Sequence, residues 1–267
     1  MNAPDLVIFD GSTHLPTSGR NARSEYDAEH IPGAMFFDIN AIADDANPLP
    51  HMLPSPAKFS SMMKKMGVGD GMRVIVYDSE GLYSAARVWW MFRTMGHEDV
   101  AVLNGGLKKW KAENRPVTDE PPRPRSERHF TARFNAGLVR DLDDMKSIVT
   151  QGSEQVIDAR AAARFRGEAT EPRKGLRSGH MPGAMNVPFQ SLVNDDGTLK
   201  APDELEAAFR AAGADPGRPA TTTCGSGVTA GVLALALALI GHPDVAVYDG
   251  SWSEWGHEDA GTEVVTG

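Results

Sequence analysis

Residues 241–255 read GHPDVAVYDGSWSEW, and residues 96–110 read GHEDVAVLNGGLKKW; eight of the fifteen positions are identical at an offset of 145. A second pair precedes them. EHIPGAMFF at 29–37 echoes GHMPGAMNV at 179–187, with five of nine positions identical at an offset of 150. Two blocks in the same order at nearly one offset mark a duplicated domain. A chain of 267 residues has the length for two.

Working outward from these blocks, each half reads alike. An apolar strand (6–9; 155–157) leads through a polar loop to the HxPGA turn. A helical stretch follows (55–66; 202–212), then a strand (73–77; 220–223), a second helix (84–95; 229–240) and a further strand (100–103; 245–248). Each half then reaches a Gly-rich turn and a tryptophan, Trp110 or Trp255. Short strands alternating with helices of ten residues or more predict βαβ units, an α/β fold with a parallel sheet in each half. The boundary falls in 116–137, where PVTDEPPRPRSER is rich in proline and charge and has no period. The reading therefore divides the chain into a domain at 1–115, a linker at 116–137 and a second domain at 138–267.

Composition narrows the function. The chain carries 27 Lys and Arg against 36 Asp and Glu, a net charge of −9, which argues against nucleic acid or an anionic membrane as partner. The longest fully apolar run, 232–240, is nine residues, far short of the ~20 that span a bilayer. The start, MNAPDLVIFDGS, has no secretory pattern, so a cytoplasmic location is expected. Eight histidines are scattered without ligand spacing, so no metal or other cofactor is expected. The single cysteine, Cys224, cannot form an internal disulfide.

Cys224 sits in TTTCGSGVTAG (221–231), between a strand and a helix. That is the carboxyl edge of a parallel strand, where α/β sheets hold ligands. Gly225 and Gly227 let the chain curl with its N–H groups turned inward, and the following helix adds partial positive charge. Both favour a thiolate and a nucleophilic role. Two other readings of the loop fail. A cysteine phosphatase needs an arginine six positions on, where this chain has Ala230. The run from Gly225 to Ala230 fits G-x-G-x-x-A, with Asp249 in the place of a ribose-binding acid, but only 18 residues follow Asp249.

The remaining chemistry is sulfur transfer through a persulfide, and here the residues carry a resemblance. CGSGVTA (224–230), DGSWSEW (249–255), both HxPGA turns (30–34 and 180–184), RFRG…EPR (164–173), HIPGAMFFDI (30–39), HMLPSPAKF (51–59) and GLYSAARVWWMF (81–92) closely resemble the 3-mercaptopyruvate sulfurtransferases, a family of tandem-rhodanese proteins. The resemblance covers essentially the whole chain. It implies two rhodanese-like domains and a Cys224 persulfide formed from 3-mercaptopyruvate with release of pyruvate. The sulfur would pass to an acceptor thiol such as thioredoxin, or to cyanide. It also implies that Arg164 and Arg173 bind the donor's carboxylate, while the N–H groups from Gly225 through Gly227 and Val228 to Thr229 hold the persulfide. Ser226 and His30 would move protons, with no acid assigned between Asn21 and Asp27, and Tyr83 would line the pocket. His180 is read as closing its own turn.

The first half serves as an internal control. Its VYDSEG (76–81) aligns with TTCGSG (222–227) and places Asp78 where the nucleophile would stand, so this half is expected to be catalytically silent. Thiosulfate sulfurtransferase is the alternative in the same class. It would need cationic residues in the loop, where this chain has Gly225 and Ser226. A non-enzymatic persulfide carrier is the alternative in another class, and it would not require Arg164 and Arg173.

Overall fold

The strand LVIFD, β1 (Leu6–Asp10), opens the chain with alternating inward residues, Val7 and Phe9, that are fully buried. The computed structural model describes residues 5–267 and divides into two units. In the first unit β1 is followed by α1 (Ala22–Ala28), β2 (Met35–Phe36), α2 (Ile39–Ile42), α3 (Pro56–Lys65), β3 (Arg73–Tyr77), α4 (Ala85–Thr94), β4 (Val100–Val102) and α5 (Gly106–Ala112). The strands form one parallel sheet in the order β2-β1-β3-β4.

Local chemistry accounts for the helix starts. Asn21 caps α1 by accepting the Ser24 N–H at 2.9 Å, and Ser55 caps α3 by accepting the Lys58 N–H at 3.2 Å, with Pro56 in the first turn. Helix α4 buries nearly its whole surface, and Phe92 packs edge-on against Phe59 at 5.2 Å.

Residues 116–135 are not free connection. Thr118 exchanges both backbone bonds with His30 (2.8 and 2.9 Å), Asp70 binds Thr131 at 2.8 Å, and Arg133 N donates to Met95 O at 2.8 Å. This segment is a strap on the first unit, and the division between units falls after Asn135.

The second unit contains β5 (Val139–Arg140), α6 (Leu142–Gln151), β6 (Gln155–Asp158), α7 (Ala162–Phe165), β7 (Met185–Asn186), α8 (Pro202–Ala211), β8 (Ala220–Thr223), α9 (Ala230–Leu239), β9 (Ala246–Tyr248) and α10 (Ser251–Trp255). Its sheet is parallel in the order β5-β9-β8-β6-β7, so β8 is central. In this strand of Ala and three Thr, Thr221 Oγ1 donates to Glu154 Oε2 and Thr222 Oγ1 donates to Ala230 O at 3.1 Å, which ties the strand end to the start of α9, while Thr223 Oγ1 is buried without a partner. Helix α9 is apolar all round and buried from Ala230 to Leu237, a core helix. Trp252 and Trp255 pack with Met145, Ile148 and Tyr248 on the other face. Among the described residues no helix is long and apolar enough to cross a membrane.

Each unit also takes a short segment from outside its own run of sequence. Asn47–Met52 belongs to the second unit, and Asp195–Thr198 belongs to the first.

Candidate active site

Cys224 follows directly on β8 and is 2% exposed. Its loop is oriented by the start of α10. Trp252 N donates to Cys224 O at 2.9 Å, and Ser253 donates to Gly225 O from both its N (2.9 Å) and its Oγ (2.7 Å). The C=O and N–H of a trans peptide point in opposite directions, so the N–H groups of Gly225 and Ser226 face away from α10. Ser251 completes the clamp by accepting the Cys224 N–H at 3.2 Å while donating to Tyr248 O at 2.8 Å. It does so at φ +51°, in the left-handed region. Non-glycine residues rarely adopt that conformation, and it persists where the surroundings demand it. The first bonds of α9 run from Gly231 N to Val228 O and from Val232 N to Thr229 O, so the donors before them lie at the helix's open end.

The first unit contains the same loop with an anion built in. Leu107 N donates to Asp78 O at 2.9 Å, matching the bond from Trp252 to Cys224, and Gly106 at φ +52° stands where Ser251 stands. The Asp78 carboxylate accepts five backbone N–H groups: Glu80 and Gly81 on Oδ1 (3.0 Å each), and Tyr83, Ser84 and Ala85 on Oδ2 (2.8, 2.9 and 2.8 Å). Burial works against the charge, but every partner of the two oxygens is a donor, so the loop fits the ionised carboxylate. A chain that curls in this way is an anion cradle.

Around Cys224 the structure brings together most of the residues that the sequence singled out. Arg164, carried just before the end of α7, and Arg173 both reach the loop. A Cβ built on Gly225 would lie 3.1 Å from Arg164 Nη2 and 3.8 Å from Arg173 Nη1. A side chain at 225 would crowd Arg164 and meet Arg173 at ordinary contact distance. Gly227 takes φ +76°, and Val228 and Thr229 are buried. Ser226 is 6% exposed, and its Oγ lies 3.1 Å from a histidine Nδ1.

That histidine is His51, not His30. The His30 ring is stacked on Tyr26 at 4.2 Å, with Nδ1 on Tyr26 O (2.8 Å) and Nε2 on Glu120 O (3.2 Å), so its nitrogens close the turn and the strap of the first unit. His180 is held in the same way, with Nδ1 on Phe165 O at 2.8 Å. His51 reaches Ser226 because 47–52 belongs to the second unit, and it holds φ +64° there. The signal for it was present in HMLP, but 175 residues separate the pair and no local spacing links them. Tyr83 belongs to the first unit and supplies a backbone N–H to Asp78. Asn21 is a helix cap, and Asp27 pairs with Arg23 at 2.9 Å.

Three further side chains carry no role assigned from the sequence. Asp158, Arg160 and Glu171 form a buried ion-pair row beside Arg164. Burial disfavours the Arg160 charge, but Asp158 and Glu171 outweigh it and hold the guanidinium protonated. A cavity of about 500 Å³ lies elsewhere, in the first unit, against Asp10, Ser12 and Ser79.

A cysteine at the carboxyl end of a parallel strand, a loop whose counterpart in the first unit cradles a carboxylate, and a duplicated α/β unit together define a rhodanese-type protein. The rhodanese-like domain profile matches the chain twice, at residues 7–113 and 141–258, and the chain belongs to that family. It is 46% identical over 254 residues to the 3-mercaptopyruvate sulfurtransferase of Escherichia coli, covering 95% of this chain and 90% of that protein. It is 45% identical over 254 residues to the thiosulfate sulfurtransferase of Gallus gallus, covering 94% and 86%. The crystal structure of SseA from Escherichia coli, described as a 3-mercaptopyruvate sulfotransferase, superposes with a TM-score of 0.84 at 45% identity, covering 94% of each chain.

Proposed function

We propose that this chain is a 3-mercaptopyruvate sulfurtransferase, and the observation that carries the reading is the pair of arginines over Gly225 beside Cys224. The two relatives named above differ in donor at nearly equal identity, so the choice between donors rests on the loop. Gly225 and Ser226 bring no positive charge to it. The cations stand outside it, on Arg164 and Arg173, whose guanidinium groups lie over Gly225, the residue next to Cys224.

In the reaction the Cys224 thiolate attacks the sulfur of 3-mercaptopyruvate. The S–S bond forms as the C–S bond breaks, and the electron pair passes into the enolate of pyruvate, which takes a proton. The persulfide is held by the N–H groups of the loop, as Asp78 is held in the first unit. A thiol such as thioredoxin, or cyanide, then removes the outer sulfur and restores Cys224. His51 and Ser226 form the proton path to the carbon that loses sulfur. We place the reaction in the cytoplasm, as a small-molecule activity without nucleic acid or membrane.

Two results follow from these roles. Arg164→Ala and Arg173→Ala each lower kcat/KM for mercaptopyruvate by about 10- to 100-fold, the loss of a charge-assisted bond. Unchanged kcat/KM in both variants refutes the clamp. His51→Ala lowers the rate of pyruvate release by about 10²- to 10⁴-fold, the range for a lost general acid or base, whereas His30→Ala acts on stability. Stopped assays at matched folded fraction separate the two. Measuring kcat/KM with mercaptopyruvate and with thiosulfate tests the donor directly. A preference for thiosulfate overturns the reading.

A further inference from the structure

Arg164 is not left to find its own orientation. The Glu171 side chain, 1% exposed, accepts from Arg164 Nε at 3.2 Å on Oε1 and from Arg164 Nη2 on Oε2. The same Oε1 accepts from Arg160 Nη1 at 2.8 Å. Arg160, also 1% exposed, is engaged at every nitrogen: Nε and Nη2 on the Asp158 carboxylate (3.0 and 2.7 Å), and Nη2 also on Gly179 O at 2.8 Å. Its guanidinium lies 4.1 Å from the centre of the Trp252 ring, the residue whose N–H holds Cys224 O. A row of alternating charge, Asp158, Arg160, Glu171 and Arg164, therefore runs from the end of β6 to Gly225.

Arg160 has no donor directed at a substrate, and Glu171 brings negative charge to a site that binds an anion. A pocket that relied on net charge alone would be better without that carboxylate. What Glu171 supplies is direction. A bidentate carboxylate fixes the plane of a guanidinium on an otherwise flexible stem; by taking the Nε–Nη2 edge it leaves the end-on edge, Nη1 and the second N–H of Nη2, the nitrogen nearest Gly225, for a second anion.

We propose that Glu171 is a positioning residue that aims Arg164 at the donor's carboxylate, with Arg160 and Asp158 as its anchor. The proposal rests on the reading of Arg164 as part of the carboxylate clamp. It makes Glu171→Gln a variant whose sign is informative, because net charge and positioning predict opposite results. The amide keeps the shape, removes the charge and turns an N–H donor toward one arginine.

The experiment compares the wild type, Glu171→Gln and Arg164→Ala with 3-mercaptopyruvate and with mercaptoacetone, a thiol ketone of the same C–S chemistry that lacks the carboxylate. For Glu171→Gln the KM for mercaptopyruvate is expected to rise by about 10- to 100-fold, with kcat within about twofold and mercaptoacetone turnover unchanged. A KM that stays the same or falls overturns the proposal, as do equal losses on both donors, which mark Glu171 as scaffold. If Glu171→Gln does not fold, Glu171→Asp keeps the buried charge that faces Arg160 but draws the carboxylate one methylene back from the Arg164 guanidinium, and is read in the same way. Arg164→Ala separates the two readings. A raised KM there with a normal KM in Glu171→Gln defeats only the positioning role, whereas an unchanged KM in Arg164→Ala defeats the clamp itself.

Discussion

Cys224→Ser releases no pyruvate above the uncatalysed rate, a loss of about four orders of magnitude or more for removal of a covalent nucleophile. The chain has one cysteine, so no second thiol substitutes for it. Wild-type protein treated with mercaptopyruvate gains about 32 Da, one sulfur, on the peptide that contains residue 224, and the serine variant gains nothing. The substitution is nearly isosteric, and Cys224 makes its visible bonds through its backbone, to Ser251 and Trp252, so the loop is retained. A serine variant that releases pyruvate at the wild-type rate places the nucleophile elsewhere.

Asp78→Ala destabilises the first unit by about 3 kcal/mol or more. Five backbone N–H groups converge on that carboxylate, and several lose their partner at once in a buried loop, where each unsatisfied donor costs about 1–3 kcal/mol. Water entering the vacated space offsets part of the loss. Asp78→Asn is expected to fall between the two, since one amide oxygen still accepts while the NH₂ faces donors. Thermal or urea unfolding followed by two probes, one for each unit, measures the effect, because two units need not unfold as a single transition. An Asp78→Ala chain as stable as the wild type contradicts the idea that the silent loop is a cradle closed on its own anion.

These two variants compare one loop in its two states. In the second unit the same turn follows a thiol, which in the proposed reaction gains and loses sulfur. In the first unit an anion that cannot leave occupies the same backbone arrangement, and the loop becomes structural. The matched clamps, Trp252 on Cys224 and Leu107 on Asp78, indicate that the arrangement belongs to the fold and the chemistry to the side chain.

Much of this was readable from the chain alone, because the determining interactions are local or repeated. Hydrophobic strands of four or five residues, helices with Ser or Asn caps and a Gly-rich loop each carry their own pattern. The duplication then made every pattern visible twice. Short elements escaped: β2, β7 and α7 are two to four residues long and form because longer neighbours present them with partners. The stretch at 116–135 read as a connection because its composition lacks a period, although its backbone bonds make it a strap.

The sequence by itself determined the duplication, the parallel α/β architecture, and the equivalence of the Cys224 loop with the loop that carries Asp78. Those depend on periodicity and on residue identity within a few positions of one another. Only the tertiary structure decided that His51 rather than His30 meets Ser226, that Glu171 bridges two arginines and that α10 orients the cysteine loop. His51 and Ser226 are 175 residues apart and Cys224 and Ser251 are 27 apart, while Glu171 stands 7 and 11 residues from its arginines across an irregular loop; in each case the hydrogen bond is selected by distance and direction in space, which no spacing along the sequence encodes.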